Sequence, residues 1–199
     1  MEELKRQYRV IDMLLTMHSY LRDHYRNLSM AVNLIIMGSS IIICASVFID
    51  SSAIKWFGFN NGDARMVIGL FSILVFFLSL VSLICDWGNT SEKHEHAAVS
   101  LSCLKGECRD LLRLNPPPNE GQINQWISSC RIHLNGLPIK IPEKKFNKLK
   151  AKHKRKIELS KLTDEFPGSS IIILRIIVWF RANRDVIKAI NNKVEERGT

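Results

Sequence analysis

This 199-residue chain lacks the motifs that announce most enzymes. It has no glycine-rich loop to cradle a phosphate, no GxSxG and no HExxH, and no nucleophile stands at a readable spacing from a base. The chain therefore reads as a non-enzyme that calls for no cofactor. Its five cysteines, Cys44, Cys85, Cys103, Cys108 and Cys130, show no framework spacing. That excludes a disulfide-stapled secreted scaffold and suits a reducing cytoplasm. No internal repeat is present. The nearest approach to a metal site is His94 and His96 with Cys103 and Cys108. On a helix, 94 and 96 point to different sides and 103 and 108 lie about 140° apart, so one ion does not collect all four. His94 reads as a packing residue, Cys103 and Cys108 as small apolar packers, and His96 as exposed.

Charge is missing from two long stretches. Asn27 to Ile49 is 23 residues without one, and Met66 to Cys85 another 20, fourteen of which are Val, Ile, Leu or Phe. At about 1.5 Å per residue each run crosses a hydrocarbon core roughly 30 Å thick. The chain thus reads as a two-span membrane protein. The first run follows 26 residues rich in both charges, unlike the short basic head of a cleavable signal. Five Lys/Arg precede the first run, two lie in the loop 50–65, and 21 follow position 85. That bias places both termini in the cytoplasm, although only Lys93 and Lys105 lie within the 20 residues after the second run. In the short outer loop, Trp56, Phe57 and Phe59 read as interfacial aromatics and "NNGD" as a turn.

What remains is helical. Leu4, Tyr8, Ile11, Leu15, His18, Leu21 and Tyr25 recur at spacings of three and four, and no Gly or Pro separates that stripe from the first run. After the second run, Ser91 is placed to cap a helix, with Glu92 and Glu95 in its first turn. Trp87, Thr90, His94, Ala97, Leu101, Leu104, Cys108 and Leu111 then form a seam of coiled-coil type, and the N-terminal stripe is its partner. "NPPPN" at 115–119 ends that helix. A short helix around Ile123, Trp126, Ile127 and Cys130 follows, then an extended "GLPIKIP", a basic helix to about Lys161, and a break at "FPGSS". From Ile171 to Phe180 the chain is apolar except for Arg175. That run is too short to span, and reads either as an interfacial helix anchored by Trp179 and Phe180 or as a helix buried against the stalk. The expected fold is an all-α membrane protein. Its two-span domain covers 1–114, with spans at about 28–49 and 66–86 and stalk helices at about 3–27 and 91–114. A Pro-rich linker at 115–119 leads to a basic helical cytoplasmic appendage at 120–199.

Polar residues inside the spans fall on stripes. Ser29, Asn33, Ser40 and Cys44 share one, and Gly69, Ser72, Ser79 and Asp86 another. Small and hydroxylated residues are the usual packing surface between membrane helices, and in an oligomer the same stripes line a pore. Both readings stand at this stage, and one hairpin cannot enclose a channel, so the pore requires self-association.

The order of these features resembles the SLATT family, two-transmembrane effector domains of bacterial nucleotide-signalling conflict systems. The resemblance covers about residues 3–114: an amphipathic helix with Tyr8 and Leu15, two close-set spans, and "SEKHEHAAVSLSCLKGECRDLL". That last stretch is similar to the family's His, Ala-Ala, Leu and acidic-Leu-Leu pattern through His94 or His96, Ala97, Ala98, Leu104, Asp110 and Leu111. It departs from it between Val99 and Leu101, where the family often has an aromatic. The resemblance implies a pore-forming effector of antiviral, abortive-infection defence in the cytoplasmic (inner) membrane, with a nucleotide-making enzyme or nucleotide sensor as partner.

The appendage carries "EKKFNKLKAKHKRK", residues 143–156, in which Lys144, Lys145, Lys148, Lys150, Lys152, Lys154, Arg155 and Lys156 face a single Glu. Membrane lipid is the favoured partner for this patch. Nucleic acid is not favoured, because Phe146 is the run's one aromatic and stacking is poor; a nucleotide or a partner protein remains in play. Three functions follow. One is an oligomeric pore or channel gated by a nucleotide signal or sensor. Another is a membrane-anchored binding module whose appendage recruits an anionic ligand, nucleic acid or protein. The last is a structural subunit of a larger membrane complex.

Overall fold

The computed structural model describes residues 1–46 and 61–195. Trp56, Phe57 and Phe59 lie outside the described residues, as do positions 47–49 of the first apolar run. Among the described residues every regular element is a helix: α1 (Glu2–Ser46), α2 (Asn61–Cys85), α3 (Trp87–Arg113), α4 (Glu120–Asn135), α5 (Glu143–Glu165) and α6 (Ile171–Glu195). Two stretches, Glu2–Ser46 and Met66–Arg113, contain a window long and apolar enough to cross a membrane. Only 6% of either window is buried, whereas the core helix of a soluble protein is mostly covered.

α1 runs without interruption from the N-terminal stripe into the apolar run, as the absence of Gly or Pro between them predicts. Its N-terminal half packs on α3. As α3 is followed away from the spans, its partners on α1 retreat: Ser91 meets Arg22, His94 meets His18, Lys105 meets Asp12 and Cys108 meets Leu4. The two helices are therefore antiparallel, in contact over 18 residues or roughly 27 Å of α1. The buried set on α3 is Ser91, His94, Ala97, Ala98, Leu101, Leu104 and Cys108, while Trp87 and Leu111, expected in the seam, are half-buried at its ends. On α1, Leu4, Ile11, His18 and Leu21 are buried as their spacing predicts, and Thr16 and Met17 join them.

The start of α3 differs from the expectation. The cap is Asp86, not Ser91. The Asp86 carboxylate accepts from the Asn89 backbone N–H at 3.3 Å and from the Asn89 side-chain amide at 3.0 Å. Ser91 lies inside the helix, buried, and donates its hydroxyl to the Arg22 carbonyl at 2.9 Å. Asp86 adopts φ 40°, ψ 56°, a left-handed conformation that Asp tolerates better than most side chains. One residue thus separates span from stalk on this side of the hairpin.

By packing, the chain divides into Met1–Lys140 and Ile141–Thr199. α4 belongs to the first unit because Cys130, with Trp126 and Leu134, packs on Ile11, Leu101 and Leu104. The prolines at 116–118 separate two helices of one unit, and α4 opens on a capping box between Asn119 and Gln122. The second unit is a helical pair whose small core is Leu159 and Leu162 of α5 with Leu174 and Val178 of α6. Its turn holds Gly168 at φ 94°, a conformation that favours glycine, and α5 runs on to Glu165.

Leu101 is fully buried where α1, α3 and α4 meet. Leu101→Ala is expected to lower stability by about 2–5 kcal/mol in a denaturant titration of the detergent-solubilised protein. Val99→Ala, on the exposed side of the same helix, should stay within about 0.5 kcal/mol.

Candidate functional site

Three groups of residues carry chemistry, and the most constrained is in the stalk. The Nδ1 atoms of His18 and His94 face each other at 3.0 Å, both side chains being buried. Tyr25, one further turn pair along α1, stacks parallel on the His94 ring at a centroid distance of 5.8 Å. Two neutral imidazoles hold such a contact with one proton between the facing nitrogens, one donating and the other accepting. A second proton sets two N–H groups face to face and destroys the bond. Burial pushes the His18 pKa down, which favours the neutral form this arrangement needs.

Below the pair, the Lys105 ammonium donates to the Asp12 carboxylate at 2.6 Å and lies over the Tyr8 ring, 5.5 Å from its centroid. The Asp12 bond raises the Lys105 pKa despite partial burial. At the far end the Cys108 thiol donates to the Leu4 carbonyl at 3.6 Å. Burial, with the nearby Cys130, pushes Cys108 up to about 11, and burial raises Cys130 as well. Both sulfurs are thus held as thiols and act as packing atoms rather than nucleophiles. His96 and Cys103 are exposed on other faces of α3. Among the described residues no three His, Cys, Asp or Glu side chains are grouped to hold a metal.

The second group is the polar stripes of the spans. α1 and α2 pack on each other, and Val32 and Ser39 of α1 and Val75 of α2, buried in the two apolar runs, mark that seam, while Ser72 is half-buried. Asn33, Ser40 and Cys44 are exposed instead, about a quarter turn round α1 from that seam. Ser29 is half-buried at the membrane end of the stalk, close to Gly88, and Gly69, Ser79 and Asp86 are exposed. The hydroxyls of Ser40 and Ser72 are satisfied by their own helices, donating to the carbonyls of Ile36 and Ile68 at 2.8 and 2.9 Å. The structure therefore does not gather the stripes into one site within a single copy. It does place Asn33 and Ser29 in a cleft whose other walls include Arg26, Glu92 and Glu95.

The third group is the basic run, all eight cations of which lie on α5. Lys145 is half-buried and the other seven are exposed. Phe146 is half-buried, so the run presents no open aromatic on which a base could stack.

Sequence periodicity placed His18 and His94 on facing stripes but not in contact with each other. It missed the Asp12–Lys105 bridge and the deep position of Ser91, which break the apolar pattern. The signal available was that Asp12 and Lys105 sit next to seam positions Ile11 and Leu104 on the two helices.

The histidine pair makes the stalk sensitive to acid. Because the folded pKa of His18 lies below its unfolded value of about 6.5, its stabilisation is complete above that pH and is lost as pH falls below it. Amide exchange of residues 94–108 should be constant above about pH 7 after correction for intrinsic rates, and accelerate as pH falls below about 6.5. In a His18→Phe/His94→Leu variant the acceleration should be absent.

Compared with family models, curated proteins and solved structures, the chain matches none, so its function is read from the geometry just described.

Proposed function

We propose that the protein is a membrane effector that works as a homo-oligomer and forms a pore or channel. The observation that carries this reading is the outward-facing polar stripe Asn33, Ser40 and Cys44 on an otherwise apolar span. Asn33 opens on the cleft walled by Arg26, Glu92 and Glu95, and Ser40 and Cys44 continue its face along the span, where a polar face calls for a partner helix or water. The hairpin seam does not supply that partner, because it is built from Val32, Ser39 and Val75. A second copy does, and a ring of copies with this stripe inward encloses a polar path. The stalk suits such a device, since α1 is a continuous rod from the His18 pair into the membrane.

The resemblance of residues 3–114 to SLATT domains supports the finer reading. On it, the protein lies in the cytoplasmic membrane with both termini inside, acts in antiviral defence and opens on a nucleotide signal or through a sensor partner. The exposed cations of α5 favour a second reading, in which the spans only anchor a module that recruits an anionic ligand.

Purified protein inserted in liposomes is expected to release trapped ions and dye, alone or on adding cyclic nucleotides or oligonucleotides. Asn33→Leu/Ser40→Leu should abolish release without reducing insertion, while charge reversal at Lys150, Lys152 and Lys154 leaves the open pore intact. Full insertion with no release under any of these conditions would reject the pore and leave the anchored module.

A further inference from the structure

The second unit carries an apolar face that its own packing does not use. Leu174 and Val178 turn towards α5 and are 3% and 9% exposed. Ile172, Ile176 and Phe180 lie on the opposite side of α6, with exposures of 68%, 50% and 62%. At 100° per residue they form one stripe, flanked by Arg175 on one edge and by Arg184 on the other. A core packed on one side and an apolar stripe between arginines on the other is the pattern of a helix that lies in a lipid interface.

Charge decides between occupants. Between Ile141 and Arg184 there are twelve Lys or Arg and four Asp or Glu. Two copies meeting through this face would bring together two strongly positive units, and the repulsion opposes the contact. A nucleic acid would satisfy the charge but leave the isoleucines in water. An anionic leaflet satisfies both, since its headgroups attract the cations while its acyl boundary takes up the stripe.

The leaflet is also within reach. α3, α4 and α5 have 27, 16 and 23 residues, or roughly 40, 24 and 34 Å, so the chain between span and α6 is long enough to return to the bilayer. We infer that the unit Ile141–Thr199 docks on the anionic face of the same membrane that holds the spans, with Ile172, Ile176 and Phe180 inserted and the cations of α5 and α6 at the headgroups. This inference is independent of the pore, because it needs the spans only as an anchor.

The test uses the full chain in lipid nanodiscs of phosphatidylcholine with or without phosphatidylglycerol, followed by hydrogen exchange. Amides of residues 171–181 should exchange at least roughly tenfold more slowly with the anionic lipid, and the slowing should disappear at high salt. Ile176→Asp/Phe180→Asp should remove it while residues 155–165 exchange as before, which shows that the α5–α6 pair still folds. Neutralising Lys148, Lys150 and Lys156 to Gln should also remove it, and these exposed positions lie outside the Leu162–Leu174–Val178 core. Equal exchange in both lipids overturns the inference. Slowing that follows protein concentration in detergent assigns the face to a second copy. Slowing that requires an added oligonucleotide assigns it to nucleic acid.

Discussion

The burial of α1 against α3 is the contact on which the rest of the structure depends. Leu4, Ile11, Met17, Leu101 and Cys108 are fully covered in it, and in the same layer the two histidines share a proton. α1 continues from this layer into its apolar run and α3 follows directly on the second. The stalk therefore fixes how the spans enter the membrane, and α4 attaches to the same layer through Cys130 and Trp126. Polar members of the layer are tied across it: Ser91 to the Arg22 carbonyl, Lys105 to Asp12, Cys108 to the Leu4 carbonyl. Such pairings select one register. A helix slipped by a turn would keep its apolar contacts and lose these bonds, which buried polar groups do not tolerate.

Much of this was legible in the sequence because it rests on periodicity. Spacings of three and four located both stalk helices, and uncharged runs located two helices fit to span. What was not legible rests on single contacts. Asp86 read as a polar residue at the end of a span, yet it caps α3, a role visible only in its backbone angles and its bond to Asn89. Ser91 satisfied the pattern of a cap and is instead a buried donor. The three prolines read as a domain linker, and they do end a helix. Whether the next helix returns to the stalk was decided by Cys130 and Trp126, whose short stripe resembles that of any small amphipathic helix. The polar stripes of the spans were found by type but omitted Ser39, which is buried, and only burial separated the half-buried Ser72 from the exposed Asn33 and Ser40.

Two environments outside the single chain complete the molecule. The apolar surface of α1 and α2 and the apolar stripe of α6 are both open, and both would be unfavourable in water. For the spans, length identifies the missing environment as hydrocarbon. For α6, the flanking arginines point to the boundary between hydrocarbon and headgroup. Polar atoms inside the first environment and apolar atoms at the edge of the second are the features that a bare helix in lipid would not need.

The two arms of the hairpin are joined to the stalk differently. On one side the helix is unbroken. On the other, the chain passes through Asp86 in a left-handed conformation, so the hydrogen-bonded ladder does not carry stiffness across in the same way. A twist or tilt of the stalk is thus delivered to the first span as by a rigid shaft and to the second as through a joint. The arm joined without a break is the one bearing Asn33 and Ser40, and Asp86 is the one non-helical residue between the other arm and the stalk.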